Sequence, residues 1–239
     1  MTGLPYFEFN GTRSLDQKII VTKKSIYKGG ARDVTFTSVP GRSGDLLTDN
    51  RRHKNVKISY DIAVLNDAYR IPKIAHDIKG WLLSEVGYFK LSDSYDPDYF
   101  RLAAYTDEFD LDQELPSIGN SSIVFNCKPF RYSKRGQHSI SLENESSVRN
   151  PEVFPALPYI KIIGEGDITL RINGDSFVFR GVEEYIEIDS EEMRTFKGTE
   201  NANAKMYTPT YPTLYKGNNT VSWTGAVTSV QMRPRWCCL

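Results

Sequence analysis

The chain has 239 residues, 39% hydrophobic and 12% aromatic, with 30 basic and 30 acidic side chains and a formal net charge of zero. That length accommodates one large or two small domains, each with a core. Neutrality excludes a bulk polyanion binder and is compatible with self-association.

The opening MTGLPYFEFNGTRSLDQ has no basic region ahead of an apolar run, so no secretory signal is read there. No apolar run reaches membrane-span length, and no membrane insertion is expected. Cys127, Cys237 and Cys238 are an odd set without paired spacing, which suggests reduced thiols in a cytosolic context. Without a secretory signal, triplets such as Asn10-Gly11-Thr12 and Asn218-Asn219-Thr220 are read as turn residues, not glycan sites.

In chain order, KIIVTKKSIY and RDVTFTSV read as strands. SVPGRSGDLLTDNRRHKN then reads as a glycine-punctuated connection to the next strand. NVKISYDIAVL alternates cleanly, with Val56, Ile58, Tyr60, Ile62 and Val64 on one face, and is the clearest strand of the chain. In AYRIPKIAHDIKGWLLSE, Ile71, Ile74, Ala75, Ile78, Trp81 and Leu82 recur at helical spacing. A helix is expected from Pro72 to Glu85, with Pro72 in the first turn and Gly87 as the stop. It covers one face of the sheet or meets a neighbouring subunit. YFKLSD, FRLAAYT and SSIVFNCKPF follow as strands, with the acidic DEFDLDQELP between the last two.

The polar and then proline-rich stretch after Ser133 reads as a linker over residues 136–158. It separates an N-terminal domain, 1–135, from a C-terminal one, 159–239. YIKIIGEGDITLRINGDSFVFRGVEEYIEIDSE reads as four short strands, with turns at Gly164-Glu165-Gly166, at Asn173-Gly174 and near Gly181. NNTVSWTGAVTSVQMRPRW gives two more around Thr224-Gly225.

Few constellations carry chemistry. Gly41 and Gly44 are three apart, Asp45 stands where a phosphate loop needs lysine, and a strand follows where a helix is required. A turn is the better reading. Arg51, Arg52 and Lys54, with His53, lack interleaved aromatics, so a solvated face or subunit contact is favoured over nucleic acid. The acidic Asp107, Asp110 and Asp112 offer a complementary group across an interface. Asp93, Asp96 and Asp98 lack the spacing and glycine of a calcium loop. The three histidines form no zinc motif, and Cys237-Cys238 is no zinc signature. No cofactor, metal or catalytic set is marked, and no enzyme is expected. Trp223 and Trp236 are the candidates for stacking on a sugar.

The order of FNGTRSLD, TFTSVPGRSGDLLTDNRRHKNVKISYDI, SSIVFNCKPFRY, NPEVFPALPYIKIIGEGDITLRING, EYIEIDSE and YPTLYKGNNTVSWTGAVTSVQMRPRW resembles the siphophage distal tail proteins (Dit) over nearly the whole chain. The resemblance implies a mainly β fold: an N-terminal β-barrel-like domain with one helix, and a C-terminal galectin-like β-sandwich. It implies a structural hub in a phage or prophage, a homohexameric ring at the tip of a long non-contractile tail, made in the bacterial cytoplasm. The implied partners are the tail tube protein, the tape-measure protein and a tail-associated fibre or lysin, with viral DNA in transit through the channel. Contact with host surface polysaccharide, as a carbohydrate-binding module, is the rival expectation. The C-terminal region lacks an obvious galectin sugar-binding set.

Overall fold

The structure, a computed structural model, describes residues 3–25, 28–65, 71–109, 112–115 and 118–239; of residues 65, 71, 112–115 and 118–119 it describes the backbone alone. The chain is mainly β and divides into two units, Met1–Arg131 with Leu239, and Tyr132–Cys238.

The first unit contains β1 (Phe7–Phe9), β2 (Thr12–Arg13), β3 (Ile19–Lys24), β4 (Arg32–Thr37), β5 (Leu46–His53), β6 (Val56–Leu65), α1 (Ile71–Leu83), β7 (Phe89–Asp93), β8 (Tyr99–Ala104), β9 (Asp112–Leu115) and β10 (Ile118–Ser133), whose last two residues belong to the second unit. Its main sheet has the order β2-β1-β7-β8-β10-β6-β3, with β9 also on β10. The alternation of NVKISYDIAVL becomes β6. Its five inward residues are all at most 7% exposed, and its register sets Tyr60 opposite Ile123 and Ile58 opposite Phe125. Burying each such side chain contributes roughly 1.5–3 kcal/mol.

Helix α1 covers the core. Ile74, Ile78 and Leu82 are buried at i, i+4 and i+8 spacing. Trp81 stacks on Phe7 with ring centroids 5.7 Å apart, and its indole N–H donates to the Phe9 carbonyl at 3.3 Å. Of the apolar stripe predicted from sequence, Ile74, Ala75, Ile78, Trp81 and Leu82 pack into the first unit's core; the Ile71 side chain lies outside the described residues. Gly80 sits on the outer side with open space around its α-carbon, so the only cost of this glycine is its weak helix propensity.

The second unit contains β11 (Ile140–Leu142), β12 (Ser146–Asn150), β13 (Tyr159–Ile172), β14 (Asp175–Val182), β15 (Tyr185–Asp189), β16 (Arg194–Lys197), β17 (Glu200–Asn201), β18 (Gly217–Arg233) and β19 (Cys237–Cys238). The order is β11-β18-β13-β15-β16-β17, with β12 also on β18 and β14 also on β13. Two expectations change here. Residues 136–158, read as a linker, supply β11 and β12, both paired with β18. They are short and together mostly polar: β12 buries Val148 and Asn150 on its inner face, and a single apolar residue there leaves no apolar alternation to read. The glycines at 164–166 and 225 are not turns between short strands. They lie inside the long strands β13 and β18, at register shifts. A β-carbon on Gly164 would come within 2.4 Å of the Ala226 carbonyl oxygen, and one on Gly225 within 2.4 Å of that of Asp167. The two backbones approach too closely for side chains, which is what glycine in a strand interior permits.

Candidate functional site

The stretch from TFTSV to NRRHKN builds an outlying ribbon. β4 and β5 form a two-stranded sheet of their own. The segment read as a connection is thus itself a strand from Leu46 onward; the connection is the shorter 38–45. Arg42 N–H donates to the Val39 carbonyl at 3.1 Å, with Pro40 and Gly41 as the central residues and Gly41 at φ 78°. That is the sequence demand of a type II turn: proline at the second position, glycine at the third. β5 is missing from the sequence pattern because nearly all of it is exposed. With no buried face, nothing imposes alternation.

Near the tip the ribbon is apolar. Phe36 pairs with Leu47 in register, and they are 61% and 55% exposed, with Leu46 and Val39 exposed nearby. Near the base it is charged. Asp33 accepts from Arg52 Nε at 2.7 Å and faces Lys54 Nζ at 3.4 Å. Asp49 accepts from Arg32 Nη1 at 2.7 Å and from the Arg51 N–H at 2.9 Å. The Arg52 hydrogen bond holds the Asp33 carboxyl below its usual value against the effect of desolvation, with help from Lys54. For Asp49 the Arg51 N–H does the same, with help from Arg32. Arg51 is at φ 55°, beside the register shift between Arg32 and Val34.

The basic run thus finds carboxylates within its own hairpin: Arg52 and Lys54 meet Asp33. Asp107 is exposed. Asp110 lies outside the described residues, and Asp112 begins β9 with its side chain outside them. Among the described residues, no group of three or more His, Cys, Asp or Glu is placed to hold a metal ion. No helix among them is long and apolar enough to cross a membrane. Cys127 and Cys237 are buried free thiols, each pushed up to about 12 chiefly by burial.

The two tryptophans are packed rather than presented. Trp236 is 8% exposed and belongs to the second unit's core. Trp223 is half-buried against that core, and Asn144 binds both its N–H and its carbonyl. Ion pairs remote in sequence, which no local motif announces, reinforce each unit. In the first, Asp93 accepts from Tyr60 Oη at 2.6 Å and Lys24 Nζ at 2.7 Å. In the second, Arg235 forks onto both oxygens of Asp189 at 2.7 and 2.8 Å.

Comparison with known proteins turns on this architecture. No family model matches the sequence, and no curated protein matches it. Among solved structures, the SPP1 Dit protein, described as a paradigm of the hub adsorption apparatus in phages infecting Gram-positive bacteria, superposes with a TM-score of 0.77. The match covers 96% of this chain and 98% of that one, at 12% sequence identity. The chain has a Dit-like fold. A chain of the phage p2 baseplate, in its activated conformation with Sr, gives a TM-score of 0.48 at 12% identity, with 96% and 98% covered.

Proposed function

We propose that this chain is a structural hub protein of a long non-contractile phage tail tip, which assembles as a homohexameric ring and links the tail tube to the host-adsorption apparatus. The observation that carries this reading is the full-length fold correspondence with the SPP1 Dit protein. The ribbon supports the assembly part. An isolated two-stranded hairpin is marginal in water, and this one keeps Phe36 and Leu47 bare. A neighbouring subunit that covers the tip removes that apolar surface from water and supplies the missing sheet partner. Identical subunits joined head to tail close into a ring when the rotation allows it.

In this reading the first unit forms the ring and the second, a galectin-like sandwich, presents loops to the fibre or lysin. The tube and tape-measure proteins dock on the ring, and DNA crosses its channel. The role is non-enzymatic, and its place is the virion tail tip. The burial of Trp236 speaks against the rival sugar-stacking module. Light scattering after gel filtration, with negative-stain imaging, tests the proposal: a six-fold ring is expected. A monomer that binds cell-wall polysaccharide tightly would refute it.

A further inference from the structure

A groove of about 460 Å³ runs along β11 and β12 of the second unit. That lies within the roughly 300–1,000 Å³ span of small-molecule sites. Arg135 and Arg149 line it, together with Ser141, Ser146 and Ser147. Both arginines are exposed, and neither guanidinium has a carboxylate or other partner among the described residues. Arg52 and Arg235, by contrast, are held by aspartates. The Ser146 Oγ is sealed from solvent with no hydrogen-bond partner. A buried hydroxyl left unpaired is unfavourable. Glu143 and Trp236 complete the relevant lining.

We propose that this groove is a binding site for a hydroxylated phosphate ester. The assignment follows from the chemistry of the walls. Two guanidinium forks match the oxygens of a phosphate, and serine hydroxyls add donors to the same group. The volume exceeds what a bare anion fills. Glu143 is acceptor-only when ionised, so it suits a hydroxyl carried on the organic part and disfavours a second anionic group. Trp236, too deeply packed to be a stacking platform, still gives the groove an apolar wall. The site is independent of ring formation, since all its residues belong to the second unit of one chain.

The test is an NMR titration of the full chain at low ionic strength with glycerol 3-phosphate, inorganic phosphate and glycerol in separate arms. Glycerol 3-phosphate is expected to bind more tightly than inorganic phosphate and to shift the Ser141, Ser147 and Trp236 amides, with glycerol giving no response. Arg135→Gln and Arg149→Gln should each weaken binding about tenfold, the equivalent of one lost charge-assisted contact. Glu143→Gln should narrow the gap between the ester and the bare anion. Both arginines are exposed, so far-ultraviolet circular dichroism of these variants should match the parent. Absence of shifts at the groove would overturn the proposal. So would an equal loss of binding in Arg42→Gln, on the ribbon turn of the first unit, because that would mark diffuse charge attraction.

Discussion

The ribbon β4–β5 and the long pair β13–β18 are built alike and used differently. Both are antiparallel ladders with a register shift and glycines at positive φ. Along β13–β18, Ile160, Ile162, Leu170, Val221, Val230 and Met232 are completely buried. Along β4–β5, Phe36, Leu46 and Leu47 stand in solvent. Backbone hydrogen bonding is common to both; burial of a face distinguishes them. The long pair is stabilised within its own unit. The ribbon is held at its base by Asp33 and Asp49, and its tip carries apolar surface with no intramolecular use.

Substitutions can break this contrast, starting with the largest effect. Phe179→Ala in the second unit's core, at zero exposure, should cost about 3–5 kcal/mol of stability, read by chemical denaturation. An equal cost for Phe36→Ala would erase the distinction between the regions. Asp189→Asn should cost about 2–3 kcal/mol, the partial exposure of Arg235 reducing the penalty expected for a fully buried pair. This pair also sets an acid limit. Burial pushes the Asp189 carboxyl up, but Arg235 and the Glu191 and Glu192 N–H groups outweigh it and leave it below its ordinary 3.8. The folded value is depressed, so the stabilisation is fully present above pH about 4 and is lost as pH falls through the folded value. Urea titrations between neutral and acid pH should show that loss in the parent and a reduced loss in Asp189→Asn.

Gly225→Ala is a finer probe. Gly225 sits at φ 108°, and the added methyl would meet the Asp167 carbonyl oxygen. A cost of about 2 kcal/mol is expected, and a neutral result would mean that the β13–β18 bend tolerates side chains. The smallest effect on folding belongs to Phe36→Ser and Leu47→Ser. Each should change the stability of the isolated subunit by less than about 0.5 kcal/mol while weakening assembly, as followed by sedimentation.

The sequence revealed elements that have one buried face. β6 matched its alternating pattern over Val56–Leu65, and α1 followed the Ile74, Ile78, Leu82 stripe to within two residues of each expected end. Strands without an apolar stripe were illegible. LLTDNRRH in β5 is exposed on both faces, and SSVRN in β12 buries Val148 beside a polar Asn150, so neither leaves an apolar periodic trace. Gly225 looked like a turn residue because a bulge and a turn make the same demand on φ, whereas Gly164 is set by the close approach of the Ala226 carbonyl, which no local pattern announces. The groove of Arg135, Arg149 and Ser146 gathers residues with no motif spacing. The ribbon's charge pairing was partly legible: the basic residues at 51, 52 and 54 were evident, but Asp33 became the partner of Arg52 and Lys54 only through the hairpin's register.

The central claim is that the ribbon tip is an assembly surface. Multi-angle light scattering of the parent chain and of a Phe36→Asp, Leu47→Asp double variant, at matched concentration, tests it most directly. A hexamer for the parent and a folded monomer for the variant are predicted. A hexamer that persists in the variant would contradict the account.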